Sequence, residues 1–174
     1  MNGKKTKLLV LAALFTALTT VATMVIQIPS PMNGYVNLGD CVVLLSAWVL
    51  GPWLGAAAGG LGSMLADVIS GYAYYAPGTL VIKAVMALVA GLIFRAAAGR
   101  GRRGELLIQT CGAALAEVIM VLGYFGYAGL LLGEGWGAAL SIPGNLIQAA
   151  FGLVIALALI RILERSRAIE WISR

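Results

Sequence analysis

The 174-residue chain is 61% hydrophobic, only 11% charged and without histidine. Soluble domains carry about 25% charged residues, so this composition excludes an ordinary soluble domain and points to a membrane protein. The net charge of +5 arises from short basic runs between apolar segments, a pattern of membrane topology and not of nucleic-acid binding.

Residues 1–7, MNGKKTK, are basic, and 8–28 form an apolar run. Such a start has features of a signal peptide, yet a run that meets the roughly 20 residues of a bilayer crossing favours an uncleaved first helix. Pro29, Pro31, Asn33 and Gly34 form a loop, and a second helix covers 36–50. Gly51-Pro52 is a sharp connection to a third helix over 53–69. A turn at 70–78 leads to a fourth helix over 79–94. The basic loop 95–104 precedes a fifth helix over 105–132, and a short loop at 133–135 precedes a sixth over 136–160. The pattern predicts an all-α membrane protein, one domain spanning 1–174, built as a six-transmembrane-helix bundle.

Lysine and arginine orient it. Lys4, Lys5 and Lys7 precede the first helix, Arg95, Arg100, Arg102 and Arg103 separate the fourth and fifth, and Arg161, Arg165, Arg167 and Arg174 follow the sixth. With six crossings these all share one side, so the positive-inside rule makes both termini cytoplasmic. Among the 12 basic residues Lys83 is the exception. Cys41 and Cys111 fall inside apolar segments, lack CxxC spacing, and read as small core residues instead of a zinc or redox site.

The segment 62–83 places Asp67 at the end of one apolar run and Lys83 near the start of the next. An ionisable group within an apolar span costs roughly 2.5–3.5 kcal/mol on insertion scales. At 1.5 Å per residue, Asp40 lies roughly 16 Å above Gly51, Asp67 roughly 22 Å above Pro52, and Lys83 roughly 18 Å above Arg95. Glu117 comes out roughly 18 Å above Glu105, and Gln148 and Asn145 roughly 20 and 24 Å above Arg161. In a core about 30 Å thick, five helices thus bring six polar side chains to one layer in the outer half. Singly, each reads equally well as a structural ion pair, a helix N-terminal charge or a snorkelling side chain. Together they point to a shared polar cavity.

Tyr35, Tyr72, Tyr74, Tyr75, Tyr124 and Tyr127 all map to the outer ends, while Trp48, Trp53 and Trp171 fall at the inner interface. One-sided tyrosines suit the walls of a small-molecule site, although for each ring alone an interfacial belt is the simpler account. Gly51, Gly55 and Gly59 recur at every fourth position, as do Ala58, Gly62 and Ala66, spacing that normally serves helix packing. No GxxxxGKS or GxxxxGKT phosphate loop occurs, and Ser46, Ser63 and Ser70 have no evident base, so the chain is not read as an enzyme.

The run NLGDCVVLLSAWVLGPWLGAAAGGLGSMLADVISGYAYYAPGTLVIKAVMALVAG, with VLGYFGYAGLL and SIPGNLIQAAFGLVIA, resembles the substrate-binding S components of energy-coupling factor (ECF) transporters. The similarity covers nearly the whole chain. It implies a multi-pass protein of the cell membrane that captures a vitamin from outside. It further implies a transmembrane T component and two cytoplasmic ATPase subunits as partners, ATP being used by those subunits with no cofactor or metal in this chain. The family's alanine-spaced contact with the T component falls on Ala13 and Ala17. Its substrate pocket falls on Lys83, Glu117, Tyr124, Tyr127, Asn145 and Gln148, with Asn37, Asp40, Tyr72, Tyr74 and Tyr75 from earlier segments. Related sequences often carry an acid after the second tyrosine of the YxxY motif, where this chain has Ala128. Among the family's ligands the pyridoxine, hydroxymethylpyrimidine or pantothenate class is favoured. Two other readings stay open: a proton- or sodium-coupled transporter acting alone through Asp67, Glu117 and Lys83, and a non-transporting membrane assembly subunit.

Overall fold

With no water in the hydrocarbon layer, each backbone N–H must find its carbonyl within the same segment, and the apolar runs accordingly become helices. The computed structural model describes residues 3–29 and 34–166. It contains α1 (Gly3–Val25), β1 (Gln27–Pro29), β2 (Tyr35–Asn37), α2 (Gly39–Leu50), α3 (Pro52–Ile69), α4 (Ala76–Ala97), α5 (Gly101–Gly126) and α6 (Ile142–Arg165). A single π turn, Tyr127–Leu131, extends α5, and a 3-10 turn, Gly135–Ser141, leads into α6. The loop positions Pro31 and Asn33, the tail residues Arg167, Trp171 and Arg174, and the Lys4 side chain lie outside the described residues.

Among the described residues six helices form the bundle, and four segments are long and apolar enough to cross a membrane on their own: Lys5–Val25, Ala76–Ala97, Gly101–Leu131 and Gly135–Arg165. The other two differ in kind. α3 has 18 residues, a length of about 27 Å, whereas α2 has 12 and reaches only about 18 Å. Every residue of α2 except Val49 is buried, so it is the bundle's central post. Trp48 is therefore a core residue, 6% exposed, and not part of an interfacial belt, while Trp53 at the start of α3 is 71% exposed. Cys41 is buried with α2, but Cys111 is exposed on the outer face of α5 and is not a core residue.

The start of α2 differs from the sequence expectation. Residues 36 and 37 are not helical: β1 and β2 pair antiparallel, Gln27 facing Asn37, Ile28 facing Val36 and Pro29 facing Tyr35. Asn37 Oδ1 accepts the Gly39 N–H at 2.8 Å, which holds the chain extended until α2 begins. Helix α4 begins three residues before its expected start, because Pro77 suits a first turn that has no use for its N–H.

Helix packing follows the small residues of α3. A Cβ on Gly55 would lie 2.5 Å from Ala47 Cα of α2, one on Gly60 2.9 Å from the Leu80 carbonyl oxygen of α4, and one on Gly62 2.6 Å from the Thr16 carbonyl oxygen of α1. At these three glycines α3 approaches three helices with no side chain of its own in between. Thr20 Oγ1 of α1 donates to the Gly62 carbonyl at 2.9 Å across that seam. The opposite face of α1, with Ala13, Leu14, Ala17 and Leu18, is exposed. Gly55→Ala should lower the unfolding midpoint in detergent by the equivalent of about 1–3 kcal/mol, the usual cost of overpacking. Gly126→Ala, whose Cβ meets nothing within 4 Å, should leave the midpoint unchanged or raised; equal effects at both sites would refute the seam.

Candidate functional site

The ends of the elements opposite the basic loops converge on one cleft of about 40 Å³. β2 contributes Tyr35 and Asn37, α3 Asp67, α4 Thr79 with Tyr75 just before it, and α5 Tyr124. Ser141 and, from α6, Asn145 and Gln148 complete the wall opposite Asp67, with Gly34 at the edge.

The roof is aromatic. Ring centroids run Tyr35 to Tyr72 at 4.7 Å, Tyr72 to Tyr74 at 6.3 Å and Tyr74 to Tyr75 at 5.1 Å. Tyr75 then meets Tyr124 at 6.3 Å and Tyr127 at 6.1 Å. All six tyrosines of the chain therefore form one connected cluster, with ring spacings in the attractive range. Tyr127 also donates its hydroxyl to the Tyr74 carbonyl at 2.9 Å and packs on Gly78, where a Cβ would strike its ring at 2.6 Å. Burial and the neighbouring Asp67 carboxyl push the Tyr35 phenol up. Burial, followed by Glu134, pushes Tyr75 up to about 12. Tyr35 and Tyr75 are therefore uncharged over the ordinary pH range.

One side of the cleft is acidic. Tyr35 donates its hydroxyl to Asp67 Oδ1 at 2.6 Å, whereas Asp67 Oδ2 is buried with no hydrogen-bond partner within 3.5 Å among the described residues, the Thr79 hydroxyl being its nearest potential donor. Tyr124 donates to Thr79 Oγ1 at 3.1 Å on the same wall. Across from them Asn145, 9% exposed, makes no hydrogen bond within the described residues and offers both a donor and an acceptor.

The floor is a sealed polar network. Lys83 forms an ion pair with Asp40 Oδ1, the two being 2% and 0% exposed. Gln148 Nε2 donates to Asp40 Oδ2 at 2.7 Å, and Gln148 Oε1 accepts the Asn37 backbone N–H at 2.8 Å. The Lys83 ammonium also stands 5.4 Å from the centre of the Tyr124 ring. Glu117 lies alongside, 4% exposed, with neither carboxyl oxygen hydrogen-bonded. Gly152 of α6 makes room for both acids: its Cβ would lie 2.8 Å from Asp40 Cβ and 3.0 Å from Glu117 Oε1.

All six residues of the expected polar layer are buried, but they occupy two levels. Lys83 pairs with Asp40 and not with Asp67. Asp67 lies two residues below the end of α3 and Lys83 seven below the start of α4, which sets Lys83 roughly 7 Å deeper. Of the expected pocket residues, Asn37, Tyr75, Tyr124, Asn145 and Gln148 line the cleft. Asp40, Lys83 and Glu117 lie beneath it, and Tyr72, Tyr74 and Tyr127 stand behind the innermost rings. Gly34, Tyr35, Asp67, Thr79 and Ser141 line it without being among the pocket residues that the family resemblance implied. Tyr35 and Asp67 carried signals, as an outer-end tyrosine and an intramembrane acid; Gly34, Thr79 and Ser141 carried none.

A family profile described as the S component of an ECF-type riboflavin transporter matches residues 3–165. A Pyrococcus woesei protein described as "Uncharacterized protein in gap 3'region" is 40% identical over 147 residues, covering 84% of this chain and 94% of the relative. The thiamine precursor transporter HmpT of Lactococcus lactis subsp. cremoris is 28% identical over 169 residues, covering 95% of this chain and 93% of the relative. Among solved structures, one describing the S component of a bacterial ECF transporter superposes with a TM-score of 0.72 at 19% identity, covering 92% of this chain and 97% of that one. That likeness establishes the fold.

Two measurements follow from the geometry. Glu117→Gln should leave the unfolding midpoint unchanged or raise it, since the amide keeps the acid's shape and can donate to the neighbouring Asp40 carboxylate; a loss of more than about 1 kcal/mol would show that the acid is needed as it stands. The second concerns alkali. A tyrosine whose folded pKa is raised contributes stability that is complete below about pH 10 and is lost as pH rises through the folded value. Thermal midpoints should therefore fall between about pH 10 and 12, and Tyr75→Phe should flatten the lower part of that fall.

Proposed function

Because the chain belongs to the family of ECF-type riboflavin transporter S components, we propose that it is the substrate-capture subunit of an importer for a single-ring, amine-bearing vitamin precursor of the aminopyrimidine type. Its role as a vitamin-binding S component of the membrane is the coarser statement, set by the family match and the shared fold. The ring class is the finer one, and a single observation carries it. Asp67 presents a buried carboxylate oxygen with no donor, across the cleft from an uncommitted Asn145 amide. An aminopyrimidine has an exocyclic amine beside a ring nitrogen. The amine supplies the donor that Asp67 lacks, and the ring nitrogen accepts from the Asn145 NH₂. Two tyrosine faces, Tyr75 and Tyr124, flank the place where such a ring would lie.

Size supports the same class. Pockets for drug-sized ligands run to roughly 300–1,000 Å³. A cleft of about 40 Å³ needs far less rearrangement to take one ring than to take three fused rings with a sugar-like chain. The ligand enters by displacing tyrosine rings of the roof, whose mutual contacts it replaces. The similarity to a thiamine precursor transporter agrees with this reading. A relay through Asp67, Glu117 and Lys83 finds less support, because Asp67 is bonded to Tyr35 and Lys83 to Asp40.

In this reading the captured ligand is delivered with a transmembrane T component and two ATPase subunits. The exposed Ala13 and Ala17 face of α1 is the docking surface, and the cytoplasmic end carries the arginines. Calorimetric titration of the purified protein should give the tightest binding for 4-amino-5-hydroxymethyl-2-methylpyrimidine, ahead of pyridoxine, pantothenate and riboflavin. Asn145→Ala should weaken that binding about 5- to 150-fold, and Asp67→Asn should weaken it in the same direction. Tight riboflavin binding with no response to the pyrimidine would overturn the ring class. Ala13→Trp or Ala17→Trp should abolish uptake in cells while leaving binding by the isolated chain intact; loss of binding as well would make this face internal packing.

A further inference from the structure

The amide of Gln148 is held between two groups that fix which end faces which. The Asn37 backbone N–H can only donate, and it meets Oε1 at 2.8 Å. Asp40 Oδ2 meets Nε2 at 2.7 Å, and the other oxygen of that carboxylate is occupied by Lys83. Rotating the amide by 180° would set two donors against each other at Asn37 and two acceptors against each other at Asp40. Only one orientation satisfies both neighbours. Each end of the amide retains one unused hydrogen-bonding position, and Gln148 lines the cleft.

We propose that Asp40 and Lys83, which do not line the cleft, are positioning residues that set substrate specificity by locking the Gln148 amide in one orientation. The inference rests on the cleft being the substrate site, as argued above. The charged pair converts a symmetric-looking amide into a fixed pattern of one donor and one acceptor. A ring carrying an amine is thereby distinguished from its isostere carrying a carbonyl at the same position. Without the pair only the Asn37 N–H still favours that orientation, and the cleft discriminates less between the two patterns. Glu117 stands beside the pair and makes no direct bond to Gln148 among the described residues.

The test uses the full chain in nanodiscs and the double variant Asp40→Asn/Lys83→Met, which removes both charges of the pair together. Asp40→Asn alone is the isosteric second variant should the double one fail to fold. In one arm, the affinities for 4-amino-5-hydroxymethyl-2-methylpyrimidine and its 4-oxo counterpart are compared. The wild-type ratio between them should shrink by about 5- to 150-fold in the variant. An unchanged ratio, including an equal loss of both affinities, would reduce the pair to a structural role and overturn the proposal. In the other arm, without ligand, hydrogen exchange at the Asn37 amide should quicken at least about 5-fold in the variant, as its acceptor turns away. Unaltered protection there overturns the lock by itself. A wild type that binds neither pyrimidine would sink the ring class alone, since the exchange arm still decides whether the pair orients Gln148.

Discussion

A lysine and an aspartate buried in the middle of a membrane bundle dictate much of what surrounds them. Removing two charges from water costs several kcal/mol each, and their attraction repays this only when the remaining polar atoms are also satisfied. Asp40 meets the condition three ways. It takes Lys83 on one oxygen and Gln148 on the other, and it stands in the first turn of α2, where the helix dipole favours a negative charge. The helix therefore has to begin inside the bundle. Its shortness follows, and so does the hairpin before it, whose paired strands satisfy their own backbone groups where no water would.

The hairpin in turn makes the cleft. Because α2 starts low, the chain between α1 and α2 descends into the outer mouth of the bundle and brings Tyr35 and Asn37 with it. Asn37 faces both ways, capping Gly39 with its side chain and bonding Gln148 with its backbone. Two polar levels result, with different duties. The lower one is closed, charged and cross-linked between α2, α4 and α6. The upper one holds the uncommitted groups, Asp67 Oδ2 and the Asn145 amide, beneath rings that a ligand can displace.

The helices and their polarity were legible in the sequence because the bilayer imposes a coarse rule: long apolar runs, with arginine at one end. Counting along those runs also marked Asp40, Asp67, Lys83, Glu117, Asn145 and Gln148 as buried, though it set them in one layer where the structure has two. Counting could not choose partners. Lys83 is nearer in sequence to Asp67 than to Asp40, yet the pairing depends on how far each helix extends past the turn, a matter of a few residues at Pro77. The hairpin was hidden for a related reason. Val36 and Asn37 look like the apolar and polar start of a helix, and the Asn37 side chain holds them extended. Trp48 looked interfacial because it lies near a helix end, but α2 is enclosed on all sides. Thr79 and Ser141 carry no pattern that separates a cleft residue from an ordinary helix start.

The tyrosine roof suits the capture proposed for this cleft. A permanently open polar hollow would leave hydrated groups inside the membrane, whereas a fully rigid lid would never admit a ring. Contacts between rings are worth about 0.5–1.5 kcal/mol each beyond the area they bury, small enough to be exchanged one at a time. A flat ligand replaces ring by ring the contacts it disrupts, so closing over it recovers what opening lost. What remains as net binding is the upper-level hydrogen bonding, above all the donor that Asp67 lacks. Affinity in such a site depends less on the size of the enclosed surface than on whether the ligand's donor and acceptor pattern matches one acid and two amides, and the deeper charged level keeps one of those amides from turning.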